Sequence, residues 1–175
     1  MNKYLIIGLG NPYKLYKYTR HNIGYLILKL IIKKNKIKKY NKNKYGYIYK
    51  LKLNNNIFYL LLPNLYMNEN GKSVYFFLKN YKIKKKNLIT ISDDIYLKFG
   101  IIKKKYKSGH GGHNGLKSID NILKTIKYLK IKIGIGHNFE YGNQNKYVLS
   151  KMKKKEIKFI KKHIYKKIFN IIINL

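Results

Sequence analysis

The chain of 175 residues is long enough for one domain with a substantial apolar core, and no shift in composition marks a second domain within residues 1–175. Forty lysine and arginine residues against six acidic residues give a formal charge of +34, which points to a polyanion such as nucleic acid as a partner. The absence of cysteine excludes disulfide bonds, thiolate metal sites and a cysteine nucleophile.

The lysine content has a second explanation. The chain is rich in Lys, Ile, Asn and Tyr, has no Ala or Trp, and contains a single arginine, Arg20. The abundant residues have codons rich in A and T, so mutational bias in an AT-rich genome explains part of the basic surface without a partner. As evidence for nucleic-acid binding, the net charge is therefore given about half its weight, and the positions of the lysines matter more.

The apolar runs of the chain are short. Residues 4–9 are too few for the core of a signal peptide, and no run has the length of a transmembrane helix. The sequence thus predicts a cytoplasmic protein that is not inserted in a membrane.

The first predicted elements are a strand and a helix joined by a polar loop. Residues 3–9 form a continuous apolar run, typical of a strand covered on both faces. From Asn22, a predicted N-cap, apolar residues recur at helical spacing until a cluster of lysines. The stretch between them, residues 8–25, contains Arg20 and His21.

The middle of the chain predicts a hairpin and a second strand-to-helix loop. Residues 45–53 alternate with a period of two, three asparagines follow, and residues 57–62 form another apolar run that ends at Pro63. A polar segment with Tyr66, Met67 and Asn68 then precedes a helical pattern that starts near Val74.

The second half repeats this alternation of strand and helix. An apolar strand at residues 88–91 runs into Asp93 and Asp94, a lysine-rich strand follows, and a glycine-rich loop at residues 109–115 leads into a helix. A strand at residues 129–135 and a long amphipathic helix from Lys153 complete the chain. This order favours an α/β fold with a mixed sheet and helices on both faces.

A histidine and an aspartate lie near the ends of two predicted strands that can converge. In such a pair the carboxylate of Asp93 orients the imidazole of His21, whose other nitrogen takes a proton from water. This predicts hydrolysis without a covalent intermediate. Asp120, Glu156 and His163 lie among lysines in predicted helices, where solvated salt bridges are expected.

Other site types have weaker support. No serine occurs in a G-x-S-x-G elbow, and Gly8-Leu9-Gly10 lacks the third glycine of a dinucleotide fingerprint. His110 and His113 have metal-ligand spacing but neither cysteine nor a nearby glutamate, so no metal or other cofactor is predicted. The loop residues Asn11, Asn68 and Asn114 carry amides that can hold a peptide or a carbonyl oxygen.

Several motifs in one order resemble those of the bacterial-type peptidyl-tRNA hydrolases. GLGNPYKLYKYTRHNIGY, LPNLYMNENGKSV, SDDIYLKFG and GHGGHNGLKSI are similar to four motifs of that family, and KIKIGIGH and YVLSKM to two later ones. Chance agreement of several spaced motifs in register is far rarer than a single coincidence.

The resemblance implies a single three-layer α/β/α domain that hydrolyses the ester between a peptide and the terminal ribose of tRNA, as a monomer and without a metal. The matched positions make His21 and Asp93 the catalytic pair. By the same matching Asn11, Asn68 and Asn114 position the peptide and the water, Tyr16 and Met67 line the cleft, and Lys103 and Lys105 meet the tRNA backbone.

The chain departs from the family pattern at a few positions. Tyr13 replaces a glycine of the first loop, and Tyr96 replaces an acid after Asp93. Lys107 and Ser108 replace glycines, and lysines at positions 130 and 132 stand where arginine is common, which keeps the charge but loses the bidentate fork. None of these changes removes a proposed catalytic group.

Two other functions remain open from the sequence. An RNA-binding protein that has lost catalysis needs only the lysine face, so it leaves the retention of His21 and Asp93 unexplained. A basic protein of membrane surfaces is suggested by the C-terminal amphipathic helix, but the apolar spacing of that helix is typical of a core.

Overall fold

The computed structural model describes residues 1–175 and contains a seven-stranded mixed sheet. The strands are β1 (Lys3–Gly8), β2 (Lys39–Asn43), β3 (Gly46–Leu53), β4 (Asn56–Pro63), β5 (Leu88–Asp94), β6 (Ile102–Tyr106) and β7 (Leu129–Gly134). Their order across the sheet is β2-β3-β4-β1-β5-β7-β6. Strands β4, β1, β5 and β7 are parallel, and β2, β3 and β6 add antiparallel pairings at the two edges.

Helices cover both faces of the sheet. They are α1 (Tyr13–Tyr16), α2 (Ile23–Lys34), α3 (Asn70–Asn80), α4 (Asn114–Leu123), α5 (Gln144–Leu149), α6 (Lys154–Phe159) and α7 (Tyr165–Ile173), with a π-helical segment between the last two at Ile160–Ile164. Helices α2 and α7 pack on one apolar cluster and α3 and α4 on the other. The predicted mixed sheet between two helical layers is confirmed.

Strand β1 shows why its sequence is continuously apolar. Successive side chains point to opposite faces of a strand, so Ile6 enters the cluster under α2 while Leu5 and Ile7 enter the cluster under α3 and α4. All three are fully buried. Because β1 is central and parallel to both neighbours, its carboxyl end delivers the following loop to the middle of one edge of the sheet.

A close backbone contact brings the start of helix α2 against strand β5. A Cβ atom on Gly24 would clash with the carbonyl oxygen of Ile91 in β5. Glycine at this position therefore lets the first turn of α2 lie directly against the end of β5. The turn that carries His21 is thereby placed beside Asp93.

Three elements were absent from the sequence prediction, namely the edge strand β2 and the short helices α1 and α5. Strand β2 is nearly all exposed polar residues, so it has no apolar alternation to reveal it. No helix has the length and apolar composition needed to span a bilayer.

Candidate active site

His21 and Asp93 meet at the carboxyl edge of the sheet. His21 lies in a single 3-10 turn before α2, and Asp93 is the second-to-last residue of β5. The Nδ1 atom of His21 lies 2.9 Å and 3.0 Å from the two carboxylate oxygens of Asp93. Both residues are almost completely buried, at 6% and 3% exposure.

His113 is a second partner of the same carboxylate. Its Nδ1 accepts hydrogen bonds from the backbone N–H groups of Gly115 (3.1 Å) and Leu116 (3.3 Å) at the start of α4. The proton of the ring is therefore on Nε2, which donates to Oδ1 of Asp93 at 2.9 Å. From the sequence, His113 was considered only as a metal ligand, and its contact with Asp93 was not predicted.

The two histidines keep Asp93 ionised. Burial alone raises the pKa of a carboxyl group, but the charge and hydrogen bonds from His21 and His113 outweigh burial and hold the pKa of Asp93 well below its ordinary value. An ionised carboxylate accepts hydrogen bonds only, so Nδ1 of His21 carries its proton toward Asp93. The Nε2 atom of His21 is then the unprotonated nitrogen, and it makes no hydrogen bond within the protein.

The pairing predicts how activity depends on pH. Burial lowers the pKa of His21, but the charge and hydrogen bonds of Asp93 outweigh it, and the pKa lies above the ordinary 6.5. A general base must be neutral, so we expect kcat/KM to fall as the pH is lowered through this raised value. A rate profile between pH 5 and pH 9 measures it, and a midpoint of the acid limb below 6.5 would contradict the pairing.

The Asn11 side chain joins two loops of the site. Its Oδ1 accepts a hydrogen bond from the backbone N–H of Met67 (2.8 Å), while its backbone N–H donates to Oδ1 of Asn22 (2.9 Å) and its carbonyl accepts from Nδ2 of Asn22 (2.9 Å). Asn22 occupies the predicted N-cap position of α2, but its side chain makes no hydrogen bond to the helix and fixes the backbone of Asn11 instead.

Asn70 braces the same loops and was also missed. It is fully buried, and its Nδ2 donates to the carbonyl groups of Gly10 (3.1 Å) and Tyr66 (2.8 Å). Its position in a run of polar loop residues gives no sign of burial. Asn22 and Asn70 thus shape the loops, whereas the amides of Asn68 and Asn114 are exposed and make no hydrogen bond within the protein.

A pocket of about 180 Å³ opens beside His21 and Asp93. Its lining includes His21, Asp93, Asn114, Lys132 and, from α5, Gln144 and Asn145. The other predicted site residues lie outside this lining. Tyr16 packs its ring edge-on against Tyr66 at 6.3 Å, and Met67 is buried under the start of α4.

Two lysines near the pocket replace the arginines expected by resemblance. Nζ of Lys132 donates to Oδ2 of Asp94 at 3.1 Å. Lys130 is fully buried, and its Nζ donates to the carbonyl of Ser108 at 2.6 Å while lying 3.6 Å from Asp120. The predicted solvated role of Asp120 is therefore wrong, because this carboxylate is buried and also accepts from the hydroxyl of Tyr128 at 2.6 Å.

Glu156 was likewise predicted to be solvated, which is wrong. Its two oxygens accept from Nη1 and Nη2 of Arg20 at 2.9 Å and 3.1 Å, and both side chains are mostly buried. The guanidinium of Arg20 also lies 4.7 Å from the ring of Tyr147 in α5. Arg20 therefore ties the residue next to His21 to α5, the helix that lines the pocket, and to the start of α6.

Lys103 and Lys105 lie on β6, at the edge of the sheet next to β7. Both side chains are exposed and make no ion pair. Lys103 is paired directly with the pocket-lining Lys132 of β7, and Lys105 with Lys130, so Lys103 and Lys105 lie on the same face of the sheet as Lys132.

Comparisons with known proteins agree with one another. A family model described as Peptidyl-tRNA hydrolase matches residues 5–174. The chain is 41% identical to the peptidyl-tRNA hydrolase of Azobacteroides pseudotrichonymphae over 95% of this chain and 89% of the relative, and 40% identical to that of Phytoplasma mali over 98% and 94%. A crystal structure of peptidyl-tRNA hydrolase from Acinetobacter baumannii superposes with a TM-score of 0.86 at 32% identity, over 99% of this chain and 89% of that one.

Proposed function

Because this chain belongs to the peptidyl-tRNA hydrolase family and therefore hydrolyses the ester bond between a peptide and tRNA, we propose that His21 activates the attacking water and that Asp93 orients His21. The observation that carries this mechanism is the hydrogen bond between Nδ1 of His21 and the buried carboxylate of Asp93. It fixes the tautomer in which Nε2 is free to accept a proton.

In the reaction, His21 takes up one proton and later returns it. Nε2 of His21 takes a proton from water as the oxygen attacks the ester carbonyl carbon, and the carboxylate of Asp93 stabilises the resulting imidazolium. The tetrahedral intermediate then collapses, the bond to the ribose oxygen breaks, and the imidazolium returns the proton to that oxygen. The products are tRNA with its ribose hydroxyl restored and a peptide with a carboxylic acid, which then releases its proton to solvent.

Exposed amides supply the remaining interactions. The amides of Asn68 and Asn114 have no partner in the protein, so they are free to bind the peptide backbone or the developing oxyanion. Nδ2 of Asn11 is also free, because only its oxygen is engaged, by Met67. Fixed donors of this kind stabilise charge that develops in the transition state without reorganising.

The tRNA itself is proposed to bind along β6. The exposed ammonium groups of Lys103 and Lys105 would contact backbone phosphates, which adds affinity without reading sequence. We propose that residues 1–175 form one domain, supported by apolar clusters on both faces of one continuous sheet. The monomeric state and the cytoplasmic location stay predictions, and light scattering would measure the first.

The mechanism is proposed to need no metal. Three side chains could hold an ion, namely His21, Asp93 and His113. Nδ1 of His21 and Nε2 of His113 instead make hydrogen bonds with the carboxylate of Asp93. We expect enzyme treated with a chelator and then desalted to release the amino acid from an N-acetylated aminoacyl-tRNA at the untreated rate. Loss of turnover that an added divalent ion restores, with the tRNA kept folded by potassium salt and a polyamine and no magnesium otherwise present, would contradict this proposal.

A further inference from the structure

The pocket beside His21 is too small for a peptide of several residues. Its volume is about 180 Å³, whereas pockets that enclose ligands typically span about 300–1,000 Å³. A substrate that carries a peptide must therefore extend beyond this pocket. The question is which neighbouring surface receives the upstream residues.

A larger groove lies between α1, the first half of α2 and the hairpin of β3 and β4. Its volume is about 600 Å³, and its walls are mainly apolar and aromatic. We call it the tyrosine groove; the residues that define it are Tyr13, Leu15, Tyr25, Tyr47, Tyr49 and Leu62.

The tyrosine groove adjoins the part of the site that is proposed to hold the peptide. Pro12, which follows Asn11, lines one side of the groove, and Asn64, in the loop that leads to Met67, lines another. The hydrogen bond from Met67 to Asn11 joins these two sides. Asn11 and Pro12 are consecutive, so their Cα atoms are about 3.8 Å apart, and an extended peptide held at Asn11 advances about 3.3–3.6 Å per residue and needs only one or two further residues to enter the groove.

Exposed apolar side chains lie along this path. Leu15 is 72% exposed and Tyr66 is 48% exposed. The ring of Tyr66 contacts that of Tyr16, which the family resemblance places in the cleft. Large apolar side chains clustered at the surface beside a site are typical of a binding surface.

The charges of the groove select among partners. Lys14 and Lys29 are its only charged residues, and no acidic side chain lines it. The ring of Tyr13 stacks on Tyr25 with centroids 5.0 Å apart and carries the ammonium of Lys29 at 3.6 Å. These contacts already engage the Tyr13 ring, which favours a side chain inserted between apolar walls over a nucleobase stacked on that ring.

We propose that the tyrosine groove binds an apolar or aromatic side chain of the peptide, two or three residues before the esterified residue, and disfavours a basic side chain there. This inference rests on the proposed function, because it needs a peptidyl ester in the cleft. It also gives a role to Tyr13, which replaces a glycine of the first family motif.

The test compares acetylated substrates Xaa-Xaa-Gly-Ala-tRNA with Phe, Gly or Lys at both Xaa positions, beside acetyl-Ala-tRNA, which is too short to reach the groove. We expect kcat/KM of the wild type to be about 10-fold higher for Phe than for Gly, a normal discrimination for an apolar pocket, and lowest for Lys. Equal values for Phe and Gly would overturn the proposal. If the wild type did not hydrolyse acetyl-Ala-tRNA, the proposed function would be overturned as well.

Two variants locate the effect. Tyr13→Gly and Leu15→Ser are each expected to reduce the Phe-to-Gly ratio to about twofold or less. Ile122→Ser, which alters an apolar residue of α4 that is 37% exposed and outside the groove, is the matched control and keeps the ratio. A ratio unchanged in both groove variants, or an equal loss on every substrate including acetyl-Ala-tRNA in both, would overturn the proposal, the latter by assigning the groove to tRNA.

Discussion

Replacement of His21 by alanine is expected to lower kcat on N-acetylated aminoacyl-tRNA by about 1,000-fold. The physical reason is the loss of the general base, which contributes about 100- to 10,000-fold in enzymes that use one. The tRNA is proposed to bind the lysines of β6, which the substitution leaves in place, so KM should change little. Single-turnover kinetics with excess enzyme separate the chemical step from binding.

His113→Ala provides the control for this prediction. It removes a ring from the same buried cluster and one hydrogen bond to Asp93, but leaves the proposed base intact. We expect a loss in kcat at least 10-fold smaller than that of His21→Ala. Equal losses in the two variants would show that both histidines merely hold the cluster together, and unchanged turnover in His21→Ala would rule out the mechanism.

Replacement of Arg20 by leucine is expected to destabilise the fold by about 3–5 kcal/mol. The change leaves the mostly buried carboxylate of Glu156 without its bidentate partner, and an unpaired buried charge is strongly unfavourable. Chemical denaturation monitored by circular dichroism measures the loss. Because a buried pair can be replaced by apolar residues at little net cost, the double variant Arg20→Leu/Glu156→Leu should recover a large part of it.

An exposed pair gives the comparison for Arg20. The ammonium of Lys72 lies 2.6 Å from Glu69, with the lysine side chain 57% exposed, so Lys72→Leu should cost less than about 1 kcal/mol. Arg20→Lys keeps the charge but not the fork, and should fall between wild type and Arg20→Leu. A double variant as unstable as Arg20→Leu would show that lost packing against Tyr147, and not the unpaired charge, is the cause.

The sequence revealed the layers of the fold because apolar spacing follows burial directly. The continuous run of β1 and the helical spacing of α7 each predicted the observed element. Strand β2 has no such signal, since it is almost wholly exposed and its existence depends on pairing with β3. The apolar pattern of a segment does not reveal a strand that forms only because it pairs with its neighbour.

The pairing of His21 with Asp93 was predictable because acids and histidines are scarce in the chain. His113 was harder to assign, because its contact with Asp93 depends on the loop before α4, where Gly111 and Gly112 have positive φ angles of 57° and 78°. Arg20 and Glu156 are separated by 136 residues, so no local spacing relates them. Charged residues among lysines look solvated in sequence whether or not the fold buries them.

The contrast between Arg20 and the lysine surface has a practical consequence for handling this molecule. Exposed lysines of α6 such as Lys154 and Lys155 make no ion pair and can be exchanged for glutamine or glutamate to improve solubility and crystal growth. Arg20 and Lys130 must be left unchanged in such a redesign, because their positive charges are buried against specific oxygen atoms. Lysines for replacement should therefore be chosen by their exposure. The exposed lysines of β6, at the edge of the sheet, are the ones to keep.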